Sequence, residues 1–491
     1  MKIHSQSRPH SHNTARPSTC GYAIDTSLRL LFQNLALEVT LFGMIAGLLL
    51  FSAEGETSWI LVQVLVSSIF AAVAMSVFFQ WASSQQWVVW NSRNIILAGV
   101  LFWLLLDPLQ MREGIEEFPS SVVLLALFYA VIFMAAISVG YFIPPYRGLA
   151  RIFSQIDEPS NRGRVFGTLL VISLIGFSPL VVTTGASVET FTGVLFAGYS
   201  ETTTLGWRRE ALGDARGALI AVLQFFLLVL PFLGTWALRQ VRLLWWQKLS
   251  IGAITTIVLT VVFFSGARRL FAFVVLGPLL YLYGASALKA RRWRFFAFPA
   301  VAVVLLFLMQ TQMQFRAAGF YEVDLTTLEG NLTLLHRDNN FYWLAMAVDT
   351  MPQVYPFTGE WPFFSLLYHP IPRFLWPGKP VSEGFPFVSW SEQGSTLSVS
   401  AVGDLYIAQG LLGIILGGLM YGWIGRNWDQ LRLLASGGNI VSMIYCMGLV
   451  LLLLGVRGFN EITVHYYAVG LLVLIAFYLS KRSKRKHSAV R

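Results

Sequence analysis

Cysteine is nearly absent from this chain and charge is scarce. Two cysteines stand among 491 residues, and only 12% of the residues are charged. Cys20 sits in a polar stretch and Cys446 in an apolar run, which argues against a structural disulfide or a cysteine-ligated metal centre. No Asp-x-Asp pair and no histidine cluster with ligand spacing occurs in the later polar segments, so no metal or other cofactor is expected. The first residues do not read as a signal peptide either. Residues 1–27 carry His4, Arg8, His10, His12, Arg16 and Pro17 without an apolar core, and read as a disordered cytoplasmic tail. No internal repeat is evident, which weighs against a transporter built from duplicated halves.

Apolar residues dominate instead, at 56% of the chain. They fall in continuous runs of about 20 residues, the length that crosses a bilayer as a helix. Strand-built barrels would alternate apolar and polar positions, and these runs do not. The expected fold is an all-α polytopic membrane protein of about twelve transmembrane helices. The runs are 28–52, 59–80, 94–110, 120–143, 165–184, 215–238, 245–264, 268–288, 295–313, 401–424, 437–456 and 463–480. The chain divides into the tail 1–27, a bundle of about nine spans over 28–313, a large external loop region over 314–400, three spans over 401–480 and a basic cytoplasmic tail over 481–491.

Charge sets the expected orientation. With the N-terminus inside, most basic residues fall on the inner side and most acids on the outer side, so both termini are expected in the cytoplasm. The net charge of +10 then reflects topology and contact with lipid, and no nucleic acid partner is needed to explain it. Basic residues left on the outer side run against this bias. They are Arg268 and Arg269 in a short turn, Arg316, Arg337, Arg373 and Lys379 in the loop region, Arg208, Arg209 and Arg216 at the outer loop 185–214, and Arg457 before the last span. Pairing with outer acids, snorkelling and function are the competing reasons for keeping them. Span interiors carry little charge, Glu38 being the main exception, and polar residues are expected to collect at the outer end.

The loop region is longer than a connection requires. Its Asp338–Met351 stretch has apolar residues at helical spacing. Pro352 follows it, and then a run rich in aromatics and proline. Such rings serve either as an interfacial belt or as platforms for sugar rings. Further on, Pro370, Pro372, Pro377 and Pro380 rule out a continuous helix from His369 to Pro380 and fix a stiff path for Arg373, Trp376 and Lys379.

The stretch Ile371-Pro372-Arg373-Phe374-Leu375-Trp376-Pro377-Gly378-Lys379-Pro380 resembles a signature of bacterial oligosaccharide repeat-unit polymerases, the Wzy-type O-antigen and exopolysaccharide polymerases. Phe264-Ser265-Gly266-Ala267-Arg268-Arg269 is similar to an outer turn of that family. Val402-Gly403-Asp404-Leu405-Tyr406, followed by Gly410, is similar to the start of one of its late spans. The resemblance implies a helical membrane glycosyltransferase in the bacterial inner membrane. Its substrate would be a polyprenyl-pyrophosphate-linked oligosaccharide, polymerised on the outer face, with a flippase and a chain-length regulator as partners beside the membrane lipid.

Glycosyl transfer from a lipid pyrophosphate needs fixed cations for the leaving group and a group that orients the attacking hydroxyl. Arginine holds phosphate oxygens bidentately and stays charged. Arg268 and Arg373 are therefore the expected catalytic cations, with Arg269, Lys379, Arg316 and Arg337 binding substrate and Trp376 beside them. His369 is the candidate base because histidine titrates near neutrality; Asp338, Asp404, Glu461 and His465 are alternatives. Asp404 could equally orient an arginine, and packing is the simpler role for His465. A ligase that moves finished glycan, or a flippase of lipid-linked sugars, stands as the alternative function.

Overall fold

The computed structural model describes residues 38–49, 59–84, 91–110, 114–159, 161–183, 215–264, 268–285, 339–359, 362–368, 399–435 and 438–480, with a few single positions between them. Every regular element among these residues is helical. In hydrocarbon each backbone N–H and C=O has to be bonded within its own segment, which a helix achieves. Six helices are long and apolar enough to cross a membrane: Trp59–Gln80, Ser92–Gln110, Ser120–Gly140, Arg162–Val181, Trp245–Phe264 and Ser400–Leu434. The chain has the build of a helical membrane protein.

The first helices are α1 (Glu38–Leu49), α2 (Trp59–Ser84) and α3 (Ser92–Gln110). Asn91 caps α3, its side-chain oxygen accepting the Asn94 N–H at 2.8 Å. The helix then widens into a π turn over Leu101–Leu105. Pro108, inside the next turn, has no N–H to offer the Leu104 carbonyl and crowds it, which accounts for widening at that place.

Next come α4 (Ser120–Gly140), the short α5 (Arg147–Phe153), α6 (Arg162–Thr183), α7 (Ala215–Gln240), α8 (Trp245–Phe264) and α9 (Arg268–Ala285). The loop region contributes α10 (Asn340–Thr350) and α11 (Pro362–Tyr368). Beyond them lie α12 (Ser400–Trp428), α13 (Gln430–Leu434), α14 (Ile440–Gly455) and α15 (Phe459–Ser480).

The helix α12 departs from the sequence reading of a single span over 401–424. Gln409 and Gly410 leave helical geometry, and Gly410 has φ +61° and ψ −143°, a conformation that glycine alone adopts without strain. Beyond this turn the chain doubles back. Leu405 lies against Gly413 and Gly417, although residues 405 and 417 of one straight helix would stand about 18 Å apart. Ser400–Ala408 is thus a short limb folded against the long limb Leu411–Trp428. Hydropathy could not reveal this, because both limbs are largely apolar and only Gln409 and Gly410 break the path.

The long limb crosses α4 at small residues. A Cβ at Gly422 would collide with the Ile137 carbonyl, and one at Gly418 would come within 2.6 Å of the Ala136 Cβ. Close approach of this kind is how helices associate in lipid, where burial of apolar surface supplies little drive. The remaining helices pair as α6 with α7 and α9 with α14. Tyr281, late in α9, hydrogen-bonds the carbonyl of Gly438, which precedes α14. The two therefore run antiparallel, and Arg268 lies toward the far end of α14.

The loop-region helices dock on this bundle. Helix α10 lies where periodicity predicts it and buries Phe341, Leu344, Ala345 and Ala347 against α4 and α12. Asn340 Nδ2 donates to the Trp103 carbonyl in the π turn at 2.9 Å. Thr358 N and Gly359 N donate to the carbonyls of Ile407 and Ala408 at 3.0 and 2.9 Å, just before the Gly410 turn.

At the opposite end of the bundle the helices are tied by buried polar side chains. Arg93 and Glu38 form an ion pair at 2.9 Å, each 2% exposed. Ser76 and Gln80 also donate to Glu38, and Asn94 Nδ2 donates to Gln80 at 3.1 Å. Beside them Asp429 accepts from Ser92 N, Ser92 Oγ, Tyr141 and Tyr445. Among the described residues this buried polar network lies away from the Asp404 end, and most of the segments where polar residues are expected to collect lie outside the described residues. The network's signal was the Asn91-Ser92-Arg93-Asn94 run, which hydropathy reads as a joint between spans.

Candidate functional site

The folded-back limb of α12 organises the Asp404 end. Three hydrogen bonds pin the turn between α14 and α15 against α12. Ala401 N donates to the Val456 carbonyl at 2.8 Å, Phe459 N donates to Asp404 Oδ2 at 3.0 Å, and Tyr421 Oη donates to the Gly455 carbonyl at 2.7 Å. Asp404 thereby occupies a capping position for α15, since its carboxylate satisfies an N–H of the first turn and complements the positive end of the helix dipole. Gly403 N is held in turn by Ser400 Oγ at 3.2 Å.

The pinned turn carries Arg457. Its guanidinium lies 5.5 Å from the ring centre of Trp103, which belongs to the π turn of α3. Cation and indole thus face each other at the point where α3, α10, α12 and the α14–α15 turn converge. Phe459, Phe363 and Tyr421 form an aromatic cluster beneath, with ring centres 4.5 Å apart for Phe363–Phe459 and 5.6 Å for Tyr421–Phe459. Helix α11 is held to the bundle through this cluster.

Arg268 and Arg269 open α9 and are half-buried. A basic pair in a first helical turn works against the helix dipole and draws anions to that end. Phe273, one turn further on, meets the edge of the His465 ring at 4.8 Å. His465 lies a similar distance into α15 from Phe459, so the arginine pair lies toward the Arg457 end. His465 itself is fully buried against Phe273.

Trp376 is exposed and stands edge-on to Tyr368, the last residue of α11, with ring centres 6.2 Å apart. Tyr342 lies 5.1 Å from Phe118, and burial, with the Glu117 carboxylate second, pushes its phenol above the usual range. His369, Arg373, Lys379, Arg316, Arg337 and Asp338 lie outside the described residues, as does the side chain of Glu461. Among the described residues no group of His, Cys, Asp and Glu is arranged to hold a metal ion.

Of the residues chosen from sequence, the structure thus brings Asp404 to the Arg457 turn and sets Arg268 and Arg269 toward the same end. Trp103 and Asn340 were missed, being a tryptophan in an apolar run and an asparagine at a helix start. The Pro108 signal four residues beyond Leu104 was the available clue to the π turn. No family model, no curated protein and no solved structure matches this chain.

Proposed function

We propose that the chain is a membrane glycosyltransferase that polymerises polyprenyl-pyrophosphate-linked oligosaccharide units on the outer face of a bacterial inner membrane. The reading takes about twelve spans, both termini in the cytoplasm and 314–400 as the external loop. One observation carries it. A short limb folded back into the bundle clamps the Arg457 turn beside docked loop helices, at the end toward which Arg268 and Arg269 also lie.

The chemistry follows from that layout. A lipid-linked donor keeps its polyprenyl tail in the bilayer and its pyrophosphate at the membrane surface. Forked, permanently charged arginines at that depth neutralise the negative charge that builds on the pyrophosphate as the glycosidic bond forms. Arg268 and Arg269 take the phosphates in this scheme, joined by Arg373, Lys379, Arg316 and Arg337 from the external loop. Trp376 offers a ring to a sugar, His369 serves as base, and Asp404 positions the turn that bears Arg457.

A second reading, export of the lipid-linked sugar, draws on the buried Glu38–Arg93 pair, because ionisable groups inside spans often mark transport paths. A deletion strain separates the readings. Single repeat units left on the lipid at the outer face support the polymerase. Long lipid-linked chains that never reach an acceptor point to a ligase, and precursor held at the inner leaflet points to a transporter; either result overturns the proposal.

A further inference from the structure

The short helix α5 joins two candidate membrane spans, α13 ends the candidate span Ser400–Leu434 ahead of the shorter apolar helix α14, and each is apolar on two sides. Inward, Phe153 and Leu431 are buried, and the Phe153 ring stands edge-on to Trp428. Outward, Ile152 is 48% exposed, Leu433 is 85% exposed and Tyr146, just before α5, is 66% exposed. Arg147, Arg151 and Arg432 are exposed beside them. Connectors surrounded by water gain nothing from presenting large apolar side chains.

The pair is held rigidly. Tyr146 N donates to Asn427 Oδ1 at 2.7 Å, and Gln430 Nε2 donates to the Tyr146 carbonyl at 3.0 Å. Gly148 leaves room for the Tyr146 ring, since a Cβ there would overlap it. The outward residues therefore belong to one fixed surface made by two connectors.

The charge of this surface is one-sided for a structural reason. Asp429 is turned inward onto Ser92, Tyr141 and Tyr445. Glu158, in the connector after α5, accepts from Trp236 Nε1 at 3.1 Å and Ile440 N at 3.3 Å, and Glu38 is paired with Arg93. Asp429 and Glu38 are thus spent on internal bonds and Glu158, though exposed, is held by Trp236 and Ile440, while Arg147, Arg151 and Arg432 remain outside. Arg162 at the start of α6, Arg242 before α8 and Lys248 in its first turns are also exposed, beside exposed Leu244, Trp245 and Leu249.

We infer that α5 and α13 form an interfacial platform for anionic phospholipid headgroups, with Arg147, Arg151 and Arg432 on the phosphodiesters and Tyr146, Ile152 and Leu433 in the acyl boundary. Interfacial helices use this division of labour, apolar side chains sinking below the headgroups while basic ones reach the phosphates. The position at the ends of spans keeps the platform at headgroup depth, and the internal bonding of the acids supplies the complementarity.

Native mass spectrometry of the full-length protein in detergent tests it, with equimolar phosphatidylglycerol and phosphatidylcholine added. The wild type retains phosphatidylglycerol in preference. The triple variant R147Q/R151Q/R432Q loses about fivefold of that preference for each arginine removed, the effect expected of one basic residue at an anionic surface. The triple lysine variant R147K/R151K/R432K keeps it, which excludes misfolding as the cause. An unchanged preference in the glutamine variant overturns the inference, and so does displacement of the lipid by an equal concentration of inorganic phosphate. A dimer in the same spectra that Leu433→Ser dissolves would assign the surface to a second copy of the chain and overturn it equally.

Discussion

Asp404 Oδ2 accepts the backbone N–H of Phe459 at 3.0 Å, so a residue of the folded-back limb occupies a capping position on the last helix, two residues after Arg457. This contact assigns Asp404 a positioning role. Asp404→Asn keeps an acceptor oxygen and is expected to keep most polymer formation. Asp404→Ala removes the acceptor, costs about 1 kcal/mol of stability and lowers polymer formation about tenfold. Thermal unfolding of the purified protein, read beside polymer length in cells, checks both. Loss of polymer in the asparagine variant at unchanged stability would instead make Asp404 the base.

Gly410 is the hinge on which this geometry depends. Its φ of +61° suits glycine, and a Cβ there would stand 2.9 Å from the Phe357 ring. Gly410→Ala is expected to cost about 1–3 kcal/mol, the range for a strained backbone position. Because the strain falls on the limb that pins the Arg457 turn, polymer formation should fall along with stability. Gly470, whose Cβ would meet nothing within 4 Å, is the control, and Gly470→Ala should leave both unaltered.

Much of the helical content was legible in the sequence, because long apolar runs leave few alternatives to a helix in lipid. The Asn340–Thr350 helix was legible for a different reason, the apolar spacing of Phe341, Leu344 and Val348. The fold-back of α12 was not, since Gln409 and Gly410 alone decide it within a largely apolar run. The polar network of Glu38, Arg93 and Asp429 was hidden as well: it joins positions far apart in the chain, and only packing brings them together. At the Asp404 end, basic charge on the side expected to face outward picked out Arg268, Arg269 and Arg457. It had no means of pointing to Trp103, whose role comes from the cation placed over it.

Arg268 gives the sharpest test of the proposed pyrophosphate site. Arg268→Ala should abolish polymer at normal protein level. Arg268→Lys should lower it at least about tenfold, because lysine keeps the charge but loses the fork that holds two phosphate oxygens. Arg373→Ala and Arg373→Lys are expected to behave alike. Polymer of wild-type length in the lysine variants of both positions would remove the bidentate role from the scheme. The measurement is chain length of the surface glycan, with membrane levels of each variant taken in parallel.

The Glu38–Arg93 pair separates anchoring from transport. Both side chains are buried, and Glu38 also receives Ser76 and Gln80. Arg93→Ala leaves a buried carboxylate without its cation and is expected to cost about 3–5 kcal/mol, and Glu38→Ala should cost a similar amount by stranding the guanidinium. The double variant Glu38→Gln/Arg93→Met removes both charges at nearly constant volume. It should be more stable than either single variant, because no buried charge is left unmatched. Unfolding in mixed detergent gives the coupling energy. If the double variant also makes polymer of normal length, the pair is an anchor between α1 and α3. If it is stable but leaves precursor at the inner leaflet, the pair lies on a transport path and the polymerase reading fails.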